Sequence, residues 1–160
     1  MAGKRRRSSP APLAIAVLAG LCAQADAAII GTCTIMIGNT GTMKANPAIN
    51  IFGSKQAGGS SATATVTASS LLCTLLNLLD CYSVYAPAPV AFASAPNGGD
   101  TNVTFATVFR LDGSALDIPG GSPQRVSNGT HTVSVDLTAT KSSGIFPAGN
   151  YQSTVTLRCE

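Results

Sequence analysis

The residues of this 160-residue chain that could carry chemistry are few: one histidine, five cysteines and seven acids. Nucleophilic catalysis needs a nucleophile, a base and an acid to orient that base. His131 is the sole imidazole. It follows the Asn128-Gly129 turn, between Thr130 and Thr132, which are ordinary strand residues. No acid pairs with it by spacing, and no G-x-S-x-G elbow presents a serine, so His131 is expected at a strand end in solvent. Asp100, Asp112 and Asp117 flank turns, where a carboxylate is expected to accept backbone N–H bonds. A zinc site has little to draw on: seven residues separate Cys73 from Cys81, there is no C-x2-C pair, and only one imidazole is present. The chain reads as a non-enzyme without catalytic, cofactor or metal residues.

What the cysteines do depends on the compartment, and the first 27 residues suggest one. Lys4 to Arg7 form a basic stretch, Ala11 to Ala23 an apolar run, and Ala25-Asp26-Ala27 a small-x-small site. These are the three parts of a secretory signal, with cleavage expected after Ala27 and a single domain over 28–160. The apolar run is shorter than the roughly 20 residues of a spanning helix, so no integral span is expected after cleavage. Cys22 leaves with the leader. Cys33, Cys73, Cys81 and Cys159 remain, an even number in an oxidising compartment, and two disulfides are expected from three possible pairings.

The leader also accounts for the charge. Lys4, Arg5, Arg6 and Arg7 against Asp26 give four minus one, the whole of the formal +3. The remaining six cations and six anions cancel. A neutral chain with no basic cluster offers nucleic acid no electrostatic footprint, so no such partner is expected.

The elements that must position these residues read as strands. Val103, Phe105, Thr107, Phe109 and Leu111 alternate with polar or small neighbours, as do Val133, Val135, Leu137 and Ala139. Tyr151, Val155, Leu157 and Cys159 oppose Gln152, Thr154, Thr156 and Arg158 in the same way. Period-two alternation over 102–111, 131–139 and 151–159 predicts three strands. Weaker strands are expected at 32–37, 48–53, 62–68, 82–85 and 89–94. Turn residues such as Asn97-Gly98-Gly99-Asp100, Asp112-Gly113 and Pro147-Ala148-Gly149-Asn150 separate them, which predicts an all-β antiparallel sandwich or barrel. The run Leu71–Leu79 breaks the alternation and is expected to be a core element or a helical turn near Cys73 and Cys81.

The order of features resembles the spore coat protein U domain family, found in subunits of archaic chaperone-usher pili. The likeness rests on Cys33, the pair Phe52-Gly53, the Thr-rich stretch 62–68 leading to Cys73, and the ending Pro147 to Leu157, with Gly149 and Tyr151 at matching places. It implies an immunoglobulin-like β-sandwich lacking its last strand, with Tyr151, Val155 and Leu157 lining the groove that a donated strand fills. It also implies a Cys33–Cys73 bridge. The implied partners are a periplasmic chaperone, an usher and neighbouring pilus subunits, with export through the periplasm to the cell surface and a role in adhesion or biofilm formation. Cleavage after Ala27 leaves only Ala28 to Thr32 before Cys33, too few for a donor arm, so a subunit that accepts without donating is expected. The rival expectation is a self-contained secreted β-sandwich, held by two disulfides, that binds a carbohydrate or another surface ligand.

Overall fold

A computed structural model describes residues 31–70 and 82–160. The expected leader, Cys73, Cys81 and the Leu71–Leu79 run lie outside the described residues.

The fold is all-β. Its ten strands are β1 (Gly31–Ile37), β2 (Lys44–Ala45), β3 (Ile51–Gly53), β4 (Ala62–Ser70), β5 (Tyr82–Tyr85), β6 (Val103–Leu111), β7 (Ile118–Pro119), β8 (Gln124–Val126), β9 (Gly129–Lys141) and β10 (Arg158–Cys159). Every pairing among them is antiparallel. β9 is the spine of the larger sheet. One edge of β9 takes β4 along residues 129–135 and then β3 along residues 138–140, while the other edge takes β6. β1 closes the sheet on the outside of β4, and β10-β5-β8 form the second sheet.

Alternation explains why these residues choose strands. In β4, Ala64, Val66 and Ala68 point into the sandwich, while Thr65 and Thr67 point away from it. Val66, Phe109 and Val133 from the large sheet meet Tyr82, Val84 and Val126 from the small one, and Val66, Val84, Phe109 and Val133 are completely buried. A second cluster closes the far end, where Phe92, Phe146 and Tyr151 stack at centroid separations of 5.0 to 6.1 Å. Lys141 caps this end from inside, its Nζ donating to the carbonyls of Gly98 and Thr101.

The three strongly alternating stretches fare differently. Two become β6 and β9, each within a few residues of expectation. The third keeps its alternation without becoming a ladder: Tyr151, Ser153, Val155, Leu157 and Cys159 are half-buried and the residues between them exposed, yet only Arg158–Cys159 pair as a strand. Side-chain period is local, whereas a ladder needs a neighbour. Residues 89–94 are a loop rather than the expected strand, joined to the C-terminal stretch by a single Ser94–Gln152 bridge. Pro87 and Pro89 remove the donors that a longer ladder would need. The expected strand at 48–53 shortens to β3 because Ile49 turns at φ 53° and the Asn46 Oδ1 accepts the N–H groups of Asn50 and Ile51.

Candidate functional site

A cleft of about 1000 Å³ runs between the free edge of β1 and the C-terminal stretch 149–157. Its floor is the inner face of the large sheet, with Ala64 from β4, Val135 and Leu137 from β9, and Phe52 from β3. Ile35 and Ile37 form one lip, and Ser153, Val155 and Leu157 the other. Of the residues expected to line a groove, Tyr151 stands at the aromatic end, while Val155 and Leu157 pack against the main core.

Both lips present backbone as well as side chains. The bond from Gly38 N–H to the Thr63 carbonyl sets the phase of the β1–β4 ladder. In an antiparallel ladder the bonding direction alternates, so the N–H and C=O groups of Cys33, Ile35 and Ile37 face away from β4, toward the cleft. Across from them, Gln152 exchanges bonds with Ser94, and Glu160 with Ser83. The same alternation turns Ser153, Val155 and Leu157 toward β1. No backbone bond joins residues 153–157 to any described strand. Ser153 Oγ is buried and without a partner among the described residues, and Ile37 is 84% exposed. Unpaired edge groups flanking an apolar floor are a template for an added strand.

The two lips converge at one end. Cys33 of β1 and Cys159 of β10 form a disulfide, with Cα atoms 6.2 Å apart. Cys33 therefore does not pair with Cys73, as the family resemblance implied. The reason is topological: β1 and the C-terminal stretch are the edges that meet at this end of the sandwich, which brings together residues 126 apart in sequence.

The remaining chemistry-bearing residues lie elsewhere. His131 does not stand free in solvent. Its Nδ1 lies 2.8 Å from Asp112 Oδ2 and its Nε2 3.0 Å from the Ser127 carbonyl, and the side chain is 15% exposed. The cause is the β6–β9 register, which pairs Leu111 with Val133 and so carries the next residue, Asp112, to Thr132 and His131. Asp112 and Gly113, at φ 50° and 72°, form the tight turn there, closed by the Ser114 N–H bond to the Leu111 carbonyl. The hydrogen bond with Asp112 raises the His131 pKa above its ordinary value, and the same bond lowers that of Asp112. Both of its neighbours are acceptors, so the site favours the doubly protonated ring, in which neither nitrogen is free to act as a base.

A second cluster went unseen in the sequence. Asp136, on the face of β9 away from the core, is 2% exposed. Its carboxylate accepts from Ser54 Oγ at 2.8 Å, Ser61 Oγ at 2.6 Å and Arg110 Nη2 at 2.9 Å. Lys55 approaches it at 3.9 Å and pairs with Asp117, so Asp117 serves the network instead of accepting backbone N–H bonds. Burial alone would push the Asp136 pKa up. The bonds from Ser61 and Ser54 and the charges of Arg110 and Lys55 outweigh that and hold it below the ordinary carboxylate value. Asp100 does serve a backbone group, accepting from Phe92 N–H. Among the described residues no three His, Cys, Asp or Glu side chains converge to hold a metal ion, and no helix is long and apolar enough to cross a membrane.

No family model matches the chain, and neither a curated protein nor a solved structure matches it significantly.

Proposed function

We propose that this chain is a subunit of a surface pilus or a related exported surface protein, an immunoglobulin-like sandwich completed by a strand from another polypeptide. The observation that carries the reading is the cleft, whose two lips offer unpaired backbone groups over an apolar floor. The resemblance to spore coat protein U domains agrees with it, since strand donation is the means of assembly in that family. In this reading a periplasmic chaperone fills the cleft first, and at an usher a neighbouring subunit replaces it, in the service of adhesion or biofilm formation. β-Augmentation supplies the physics: main-chain bonds give affinity, and alternate side chains seated in the cleft give specificity.

The test is periplasmic expression with and without a chaperone of that class. The expected result is a low yield of soluble protein alone and recovery of a one-to-one complex on co-expression. A stable monomer obtained equally well without any partner overturns the reading.

One observation favours a second reading, in which the domain is a self-contained secreted sandwich that binds a carbohydrate or another surface ligand. The Cys33–Cys159 bond ties the two lips together without help from a partner. A monomer that folds alone and is retained on immobilised glycans supports that reading over the first.

A further inference from the structure

We propose that Asn102 is an N-glycosylation site, which takes an oligosaccharide from a lipid-diphosphate donor on the exported side of a membrane. This rests on the export that both readings above share and does not depend on what the cleft takes.

Two stretches of the sequence carry the Asn-x-Ser/Thr acceptor pattern, Asn102-Val103-Thr104 and Asn128-Gly129-Thr130. Transferases of the bacterial type read one position more, an acid two residues before the asparagine. Asp100 stands there for Asn102, whereas Val126 stands there for Asn128. The chain thus holds one full acceptor and one partial one, which serves as an internal control.

Geometry separates the two in the same sense. Asp100, Thr101, Asn102 and Thr104 are all exposed on the turn that leads into β6, while Val103 and Phe105 pack against the aromatic cluster. Asn102 sits in the left-handed region at φ 57°, so the chain bends at the acceptor itself. Asp100 is fixed beside it, its Oδ1 accepting from Phe92 N–H at 3.0 Å. The Asn102 amide makes one side-chain bond among the described residues, from Nδ2 to the exposed Ser143 Oγ at 3.0 Å, which water can replace. Room surrounds the turn, since a Cβ built on Gly98 or on Gly144 meets nothing within 4 Å. Asn128 is held at both ends instead, with Nδ2 donating to the Ser70 carbonyl at 2.9 Å and Oδ1 accepting from Ser70 N–H at 3.0 Å. An amide nitrogen is a poor nucleophile while its lone pair is shared with its carbonyl, so a transferase must twist the group to use it. Asn102 can twist at the loss of one surface bond, whereas Asn128 must release its clasp on β4.

The transfer balances with that donor. Asn102 Nδ2 attacks C1 of the first sugar, and the new N–C1 bond replaces the C1–O bond to phosphate. The lipid diphosphate leaves with the electron pair of the broken bond, and the amide gives one proton to a base of the transferase. Nδ2 keeps its second hydrogen, so the bond to Ser143 can re-form. None of residues 100–104 lines the cleft, and β6 lies along the opposite edge of β9 from β4 and β1. A glycan on Asn102 therefore leaves the free edge of β1 open.

The test expresses the full chain in a bacterial host supplied with a transferase of that type and its lipid-linked oligosaccharide, and reads the periplasmic product by intact mass and glycopeptide mapping. One glycan per chain is expected, on Asn102. Asn102→Gln and Thr104→Val are expected to remove it and Asn128→Gln to keep it. Asp100→Asn, whose side chain can still accept from Phe92 N–H, is expected to remove it as well. Secretion from a eukaryotic host, whose transferase reads only the shorter pattern, is expected to restore the glycan in Asp100→Asn, which shows that this variant loses recognition and not its fold. A mature periplasmic chain without added mass overturns the proposal, as does a glycan mapped to Asn128 in place of Asn102, or full occupancy of Asp100→Asn in the bacterial host. A chain kept in the cytoplasm with its first 27 residues intact fails the shared export reading instead. In that case the purified folded chain is given transferase and donor in vitro, and an unmodified Asn102 there overturns the proposal.

Discussion

Arg110 Nη2 donates to Asp136 Oδ2 at 2.9 Å across adjacent strands, on the face of the large sheet away from its core. Ser54 and Ser61 complete the shell of that carboxylate, which fastens the β3–β4 connection to the sheet. Breaking such a pair on one side leaves a buried group uncompensated, at a typical cost of 3–5 kcal/mol when both partners are fully buried. Arg110 is 31% exposed, which reduces the penalty. Asp136→Ala is therefore expected to lower unfolding stability by about 2–3 kcal/mol, and Lys55→Ala, whose partner Asp117 is 43% exposed, by less than about 1 kcal/mol. Urea denaturation of the two variants checks the order, and equal losses would show that the network is not centred on Asp136.

His131 gives the fold a pH dependence of defined sign. Its folded pKa is raised by Asp112, so its contribution is complete below the ordinary histidine value of about 6.5 and is lost as pH rises through the higher folded value. Asp112 is lowered, so its side of the pair fails only in acid, as pH falls through a folded pKa beneath its ordinary 3.8. Thermal melts are expected to fall modestly from pH 6 to pH 9, and His131→Gln should remove that slope. An imidazole titrating at or below pH 6.5 by NMR would contradict the doubly bonded ring.

How far these features were legible in the sequence depends on whether they are local. Alternation is a property of neighbouring residues, so β6 and β9 could be read from Val103–Leu111 and Val133–Ala139. The His131–Asp112 pair could not, since its members are 19 residues apart and meet only through the β6–β9 register. Asp136 was legible as lying opposite the core residues of its strand, but not as buried, because the Ser54–Ser61 loop that covers it belongs to a different strand connection. The Cys33–Cys159 bond was one of three pairings that sequence left open, and it follows from which two edges meet. Residues 151–157 show the opposite limit: their period was plain, but whether they have a ladder partner depends on what lies beside them.

Gly120 marks a close approach that no sequence pattern announces. Its N–H bonds to the Thr107 carbonyl and its own carbonyl accepts from Ala86 N–H, each at 2.8 Å. A Cβ there would lie 1.9 Å from Thr107 Oγ1 and 2.2 Å from the Ala86 carbonyl oxygen, so the strands must move apart to admit it. Gly120→Ala is expected to cost about 2–3 kcal/mol, in the range of overpacked cores. Gly121→Ala, where a Cβ meets nothing within 4 Å, should change little. Melting temperatures of the pair test this, and a neutral Gly120→Ala would mean that this junction is far looser than described.

The disulfide closes a 126-residue separation, and chain-entropy arguments assign such loops about 4–5 kcal/mol through the unfolded state. Reduction is expected to lower the denaturation midpoint accordingly, and non-reducing digestion should yield one peptide linking Cys33 to Cys159. A Cys33–Cys73 peptide instead would mean that the cleft ends elsewhere.

Ile37 separates the needs of the fold from those of a partner. At 84% exposed it contributes little to the isolated sandwich, yet it forms the outer lip of the cleft with its backbone groups turned inward. Surface substitutions of this kind usually change stability by less than about 0.5 kcal/mol. A charge at a strand edge, by contrast, disfavours pairing with another strand. Ile37→Lys is therefore expected to melt within about 2 °C of the parent while weakening binding of an alternating Thr/Val peptide several-fold, an effect small in the fold and large in recognition. Val155→Lys, on a side chain packed into the core, should damage both. If Ile37→Lys binds the peptide as well as the parent does, the β1 edge is not a pairing surface, and the strand-accepting reading loses one of its two lips.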